Sequence, residues 1–409
     1  MPNRGCRESR PWTRGSGPEG RDRHRDGEEV KITNISTFVV DGGGRNIIFV
    51  KTETDEGVVG WGESFSVGPD LAVAATIEYL KDWLVGEDPR NIERLWALMY
   101  QGLRFPPGSV GLASISGIEH TLWDISARAL GVPVYKLLGG RVRDRVRVYQ
   151  SCGGATPAEA VDHALALIGT YGYTALKMSP YPPDMNLRPW NQVLREGPRF
   201  LEAVRRAVGD GVDIGLDAHA KVFEPARALE LAQAVAPFAP FFFEEPIRPE
   251  NIREMALLRR RMPVPLATGE ALYAKFEFND LLQAQAADII QPDVCVCGGL
   301  MEMRKVAAIA EGHDVMVAPH NPMGPVAGAV NAHFAAATTN FLVLEYKPHD
   351  TGRWRELVKE PWVPVDGYLD IPAGPGWGLE VNEAALDRYS YSPWRRGDPR
   401  RPDNSPAFI

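Results

Sequence analysis

The stretch Ile214-Gly215-Leu216-Asp217-Ala218-His219 sets an apolar strand against an acid and, two residues on, a histidine. Positions two apart in an extended chain share a face, so the two side chains emerge together at the strand end. Three segments downstream repeat the plan: Phe241-Phe242-Phe243-Glu244-Glu245-Pro246, Pro265-Leu266-Ala267-Thr268-Gly269-Glu270 and Asp288-Ile289-Ile290-Gln291-Pro292-Asp293. A fifth, Val315-Met316-Val317-Ala318-Pro319-His320, closes on a histidine. The closing residues are spaced by 27 (217 to 244), 26 (244 to 270), 23 (270 to 293) and 27 (293 to 320). That is the rhythm of a β/α unit, a short strand followed by a helix and a return.

Parallel strands fed by helices close into a barrel whose strands all open C-terminally on one face, so acids at successive strand ends converge. Buried together without a cation, such carboxylates repel one another and each costs several kcal/mol in order of magnitude. A hard divalent metal resolves the conflict, and an all-carboxylate set suits Mg²⁺ better than Zn²⁺. Any one of these acids is equally well read as the cap of the following helix; the spaced set is not.

The chain has 409 residues, 44% hydrophobic and 24% charged, with a formal net charge of −8. This is enough for a barrel of about 250 residues and a second domain. The mildly acidic balance gives no footprint for nucleic acid or an anionic membrane, and no apolar run is long enough to span one. Cys6, Cys152, Cys295 and Cys297 form no Cys-x-x-Cys pair. They read as reduced thiols of a cytoplasmic protein.

Residues 1–29 are rich in Arg, Gly, Pro and acids, lack the apolar core of a signal peptide, and read as a disordered arm. Residues 30–145 form an α+β domain. Strands are expected at 30–40, 46–54 and 58–63, turning at Gly42-Gly43-Gly44 and Asp55-Glu56-Gly57, and helices near 70–85, 91–101 and 110–130. The glycine hairpin reads as short for a lid. Two loops are suited to polar ligands, 62–69 and 103–108, and Arg104 in the second is a candidate substrate contact with a surface ion pair as the alternative. The barrel occupies 146–347, with an irregular, lid-like insertion at 180–190 and a helix at 195–208. Residues 348–409, rich in Pro, Gly and Trp, lack periodicity.

The order Asp217, Glu244 in Glu-Glu-Pro, Glu270 in Gly-Glu, Asp293 in Gln-Pro-Asp and His320 resembles the mandelate racemase branch of the enolase superfamily, over nearly the whole chain from about Lys31. Asp-x-His at 217–219 and Pro-His-Asn-Pro-Met-Gly-Pro at 319–325 are most similar to its acid-sugar dehydratases, those of the galactonate dehydratase type. The resemblance implies a modified (β/α)7β barrel with an α+β capping domain completed by the C-terminal segment. It also implies an even-numbered homo-oligomer, such as an octamer, acting on a small carboxylate.

Position by position, it makes Asp217, Glu244 and Glu270 the ligands of one Mg²⁺ per subunit. Removing a proton beside a carboxylate creates a dianion that a metal must stabilise. Enolase-superfamily sites in general meet that need by pairing a Lys or His base with magnesium. His320 fits the general base, oriented and made more basic by Asp293, and His219 the general acid that protonates the departing hydroxyl. Glu245 is expected to point away into an ion pair. Lys177 is a candidate contact to the substrate carboxylate, with a structural ion pair as the alternative. Ser179 stands where racemase-like members carry a second lysine, which argues against two-base racemisation. Glu345 matches a residue that hydrogen-bonds the substrate carboxylate when protonated. The expected reaction is dehydration of an aldonate such as galactonate to a 2-keto-3-deoxy acid. An epimerase, racemase or cycloisomerase on the same scaffold, or a non-catalytic oligomer, remain open readings of the residues.

Overall fold

The structure is a computed structural model and describes residues 30–66, 68–395 and 397–407. The expected arm at 1–29, with Cys6, lies outside the described residues.

The N-terminal meander is β1 (Ile32–Asp41), β2 (Asn46–Thr54) and β3 (Val59–Ser64), antiparallel in the order β1-β2-β3. On it pack α1 (Asp70–Leu84) and α3 (Gly108–Ala129), with α2 (Ile92–Gly102) against those two helices, followed by the short α4 (Val134–Leu137). The sheet and α3 meet almost backbone to backbone. A Cβ on Gly62 would lie 2.0 Å from the Gly117 carbonyl oxygen, so only glycine fits there.

The alternating part runs β4 (Arg145–Ser151), α5 (Pro157–Tyr171), β5 (Ala175–Met178), α6 (Trp190–Val208), β6 (Asp213–Asp217), α7 (Pro225–Val235), β7 (Phe243–Glu244), α8 (Ile252–Arg259), β8 (Leu266–Thr268), α9 (Ala274–Gln283), β9 (Ile289–Ile290), α10 (Leu300–Glu311), β10 (Met316–Val317), α11 (Pro325–Ala337) and β11 (Leu344–Glu345). All neighbouring strands in the order β10-β9-β8-β7-β6-β5-β4-β11 are parallel. A parallel bridge between Val317 and Phe341 joins the two ends. Eight strands with seven helices between them make the (β/α)7β barrel. α6 starts at Trp190, earlier than the expected 195, because Pro189 holds the extended turn before it (ψ 140°).

The barrel interior is filled by Tyr149, Ala175, Phe242, Ala267, Ile289, Ala318 and Val343. Large rings alternate with alanines, and Gly215 yields to one ring: a Cβ there would stand 2.5 Å from Phe242. Two residues beyond this packed floor, on the same face of their strands, stand the polar Lys177, Glu244, Gln291, His320 and Glu345, at the C-terminal mouth.

The C-terminal segment adds α12 (Gly352–Glu356), β12 (Tyr368–Asp370) and α13 (Glu383–Leu386). β12 pairs antiparallel with β4, while Trp377 Nε1 donates to the Trp61 carbonyl at 2.8 Å. Two buried glutamates from the N-terminal elements hold barrel helices by their first turns. Glu63 accepts from Gly324 N and Ala327 N at the start of α11, and Glu119 accepts from Leu300 N and Met301 N, 2.9 Å each, at the start of α10. Each carboxylate meets unpaired N–H groups at the positive end of a helix. Among the described residues no helix is long and apolar enough to cross a membrane, and Cys152, Cys295 and Cys297 are free and buried.

Candidate active site

Asp217, Glu244 and Glu270 stand at the C-terminal ends of β6, β7 and β8, each offering an oxygen within 4.8 Å of the others. Asp217 and Glu244 are buried and Glu270 is half-buried. Lys177, from β5, enters from below with Nζ 3.0 Å from Asp217 Oδ2, 2.9 Å from Glu244 Oε1 and 3.1 Å from Glu345 Oε1. One ammonium therefore serves three carboxylates. Burial and the charge of Asp217 push the Glu244 carboxyl well up, while burial is outweighed by Lys177 at Asp217, whose carboxyl is lowered.

Glu270 Oε2 is buried without a hydrogen-bond partner, and Asp217 Oδ2, although close to Lys177, lies off the hydrogen-bonding direction. Orphaned carboxylate oxygens, an oxygen-only donor set and a surplus of negative charge fit a hard divalent cation held by Asp217, Glu244 and Glu270.

His320 lies on the turn after β10. Its Nδ1 is 2.8 Å from Asp293 Oδ2, and its Nε2 is 3.5 Å from Glu270 Oε2. Asp293 is itself fixed by the Cys295 N–H, 2.7 Å from Oδ1. Burial lowers the imidazole's affinity for a proton, but Glu270 and Asp293 outweigh it and push His320 up to about 10. Phe65, from the N-terminal loop, covers the imidazole with centroids 6.2 Å apart.

His219 does not continue the strand. β6 ends at Asp217, and His219 turns at φ 49°, donating its N–H to Asp217 Oδ1 at 2.7 Å. Its exposed ring still comes back to the cluster, Nδ1 3.2 Å from Asp217 Oδ1. The neighbouring residue differs as well: Glu245 is buried at φ 44° and accepts from Thr268 Oγ1 (2.6 Å) and Gly269 N (3.0 Å), and burial raises it to about 8. The turn after β7 swings this carboxylate onto β8, where a hydroxyl and an amide hold it, and its charge also acts on Arg248.

Glu345 reaches Lys177 and the Asn321 N–H (3.2 Å). Burial is outweighed by Lys177 and His320, which hold its carboxyl below the usual range. Arg104 lies on the loop between α2 and α3. It is exposed at φ 62° with its guanidinium over Phe105, 5.4 Å from the ring centroid. The insertion at 180–190 is anchored at its start, since Tyr181 is buried and donates to the Ala218 carbonyl at 2.6 Å.

The strand-end acids, the lysine and the Asp–His pair lie on one scaffold, and the sequence matches two profiles over it. Residues 31–139 match the mandelate racemase/muconate lactonizing enzyme N-terminal domain, and residues 159–385 the enolase C-terminal domain-like family. The chain belongs to the mandelate racemase/muconate lactonizing enzyme family. Among its relatives are D-galactonate dehydratases from Ralstonia nicotianae and Verminephrobacter eiseniae, each 36% identical over 386 residues, 92% of this chain and 100% of theirs. A solved enolase from Agrobacterium radiobacter, a candidate galactarate dehydratase with sodium and L-malate bound, is 45% identical with a TM-score of 0.89, covering 93% of this chain and 100% of that one. A family member from Labrenzia alexandrii is 35% identical at a TM-score of 0.83, covering 88% and 97%.

Within this mandelate racemase-type site three residues escaped the sequence reading. Gln291 donates to Glu244 Oε2 at 2.7 Å, and Asn321 Nδ2 to the Glu345 carbonyl at 3.0 Å. Both lie inside motifs already quoted, Gln-Pro-Asp and Pro-His-Asn-Pro, where position beside an assigned residue was the available signal. Tyr149 fills the barrel floor, its ring 5.8 Å from Lys177 Nζ, and nothing in its strand marked it. The hairpin at 42–45, read as short for a lid, does line the barrel mouth: Gly43, Gly44 and Arg45 border a cavity against Asn321 and Glu345.

Proposed function

We propose that the chain is a Mg²⁺-dependent hydro-lyase of sugar acids. It takes the proton from C2, beside the substrate carboxylate, and expels the C3 hydroxyl as water to leave a 2-keto-3-deoxy acid. The observation that carries this reading is the Asp293–His320 pair aimed at a three-carboxylate cluster, with Nδ1 anchored and Nε2 facing the acids. Relatives named as dehydratases of sugar acids support it.

Asp217, Glu244 and Glu270 would hold the ion. Bound there, Mg²⁺ stabilises the negative charge that develops on the substrate carboxylate as the proton leaves. Lys177 adds a fixed positive charge from beneath, and Gln291 and Asn321 keep Glu244 and Glu345 in place. His320 Nε2 takes the C2 proton while Asp293 stabilises the imidazolium. His219, exposed beside Asp217, gives its proton to the C3 oxygen as the carbon–oxygen bond breaks, and the resulting enol tautomerises to the ketone. Phe65 shields the base from solvent.

The test is a panel of aldonic and aldaric acids incubated with Mg²⁺ and followed by product mass, with His320→Asn beside the wild type. Loss of one water from an acid, abolished by the substitution, supports the reading. Conversion to an isomer of unchanged mass would overturn it in favour of epimerisation or cycloisomerisation.

A further inference from the structure

The Asp293–His320 pair stands on two irregular segments that follow barrel strands, 291–299 after β9 and 318–324 after β10. Both are gripped from the N-terminal domain. On the first, Trp96 Nε1 donates to the Gly298 carbonyl at 2.7 Å and Ser116 Oγ accepts from Gly298 N at 3.0 Å, while Glu119 closes α10 just behind. On the second, the buried carboxylate of Glu63 accepts from Gly324 N, four residues after His320, and from Ala327 N at 3.0 Å. Both Glu63 oxygens are thus occupied by backbone N–H groups, so any action on the reaction runs through this turn.

The turn that bears His320 has few means of fixing itself. Pro319, Pro322 and Pro325 carry no N–H, and each locks its own φ, so a shift at one end of the turn is passed along it. The near end is tied to β11, where Asn321 donates its N–H to Glu345 Oε2 at 3.2 Å and its Nδ2 to the Glu345 carbonyl at 3.0 Å. The far end is Gly324, on Glu63. Its φ of −83° is open to any residue, yet a Cβ there would lie 2.7 Å from both Glu63 oxygens. The carboxylate, and not the backbone, excludes a side chain at 324. Two residues beyond Glu63, Phe65 packs on the imidazole with centroids 6.2 Å apart. One strand end therefore holds the backbone of the turn and covers the ring that the turn presents.

We propose that Glu63 is a positioning residue for the base: by holding Gly324 and Ala327 it sets where the 318–324 turn places His320 Nε2 above the acid cluster. The proposal rests on the reading of His320 as the base of a sugar-acid dehydratase, and adds the residue that sets its place. A carboxylate suits the role because it accepts two N–H groups at once. A glutamine accepts with one atom and turns its own N–H₂ on the second amide.

The test is steady-state kinetics on the Mg²⁺-loaded full chain with the acid it turns over fastest, for wild type, Glu63→Gln, Glu63→Ala and Gly324→Ala. Rates are taken per folded chain, with circular dichroism as the check. kcat is expected to fall about tenfold for Glu63→Gln and about a hundredfold for Glu63→Ala and Gly324→Ala, with KM within about twofold of wild type. A contact that served folding alone would leave kcat per folded chain where it was. Should Glu63→Ala fail to fold, Glu63→Gln, which keeps the size of the side chain, and Gly324→Ala, which keeps the carboxylate, decide. Unchanged kcat in both, or a rise in KM at unchanged kcat, would overturn the proposal.

If wild type turns over no acid, the dehydratase reading fails by itself, and the position of the ring is read by ¹H–¹⁵N NMR of the imidazoles at a single pH. The signals of His320 are assigned by their loss in His320→Asn. Shifted or split His320 signals in Glu63→Gln and Gly324→Ala, with those of His219 on the turn after β6 unmoved, uphold the positioning role. Superimposable His320 signals in both variants overturn it.

Discussion

At the scale of the residue, the site is an arrangement of charges that is incomplete without a cation. Four carboxylates, Asp217, Glu244, Glu270 and Glu345, face Lys177 and His320, and orphaned oxygens remain on Asp217 and Glu270. Mg²⁺ is therefore expected to raise the unfolding temperature, by an amount equivalent to about 2.7 kcal/mol at a hundredfold excess over its Kd. Glu270→Gln should abolish that increment; a variant that still gains the full increment in differential scanning calorimetry would place the ion elsewhere. His320→Asn is expected to lower kcat by roughly 100- to 10,000-fold with little change in KM, and Asp293→Asn by roughly 10- to 100-fold, both read from steady-state kinetics. These residues were legible because the chemistry needs specific side chains at strand ends, and the strand period is fixed. His219 and Glu245 were legible in identity but not in pose. Both sit at positive φ in the turns that follow the strands, and a turn of this kind re-aims a side chain in a way that strand alternation does not convey.

At the scale of the element, the alternating strands and helices could be read from periodicity, because each apolar run packs on the shared floor of the barrel. The buried caps could not. Glu119 lies 181 residues before Leu300, and Glu63 lies 261 before Gly324, so no local pattern announces that either will close a helix N-terminus. The same holds for the glycine hairpin, whose shortness is visible in sequence but whose position over the barrel mouth depends on how two separate parts of the chain dock. Glu119→Ala would strand the first N–H groups of α10 and the Trp123 indole, which donates to the same carboxylate at 2.7 Å. The expected cost is about 1–3 kcal/mol, measured by denaturant midpoint. A change within about 0.5 kcal/mol, the range of an ordinary surface substitution, would show that the cap contributes nothing.

At the scale of the whole molecule, buried titratable groups set the pH range of stability. Burial depresses His120 to about 3 and His333 and His349 to about 4, from 6.5. Their contribution is complete above 6.5 and is lost as the pH falls towards those values, because the unfolded chain takes up protons that the folded chain refuses. Burial raises Glu63 and Glu119 to about 7, from 4.5. Their contribution is complete below 4.5 and is lost as the pH rises through 7. Between 4.5 and 6.5 the three histidines outweigh the two glutamates, so these five groups are expected to give the metal-free protein a shallow rise in unfolding temperature to a maximum near pH 6.5, a steeper fall below 4.5 and a fall between 6.5 and 7. A maximum above pH 7.5, in calorimetry across that range, would mean that these five groups do not govern the profile.

The most direct test of the central reading is turnover of the best sugar acid in D₂O with Mg²⁺, followed by NMR for wild type and His320→Asn. The expected result is a 2-keto-3-deoxy acid carrying one solvent deuterium at C3, delivered when the enol tautomerises, and no product from the variant. Deuterium at C2 of an acid that has kept all its hydroxyls would contradict it, because the proton would then have been removed and returned without loss of water.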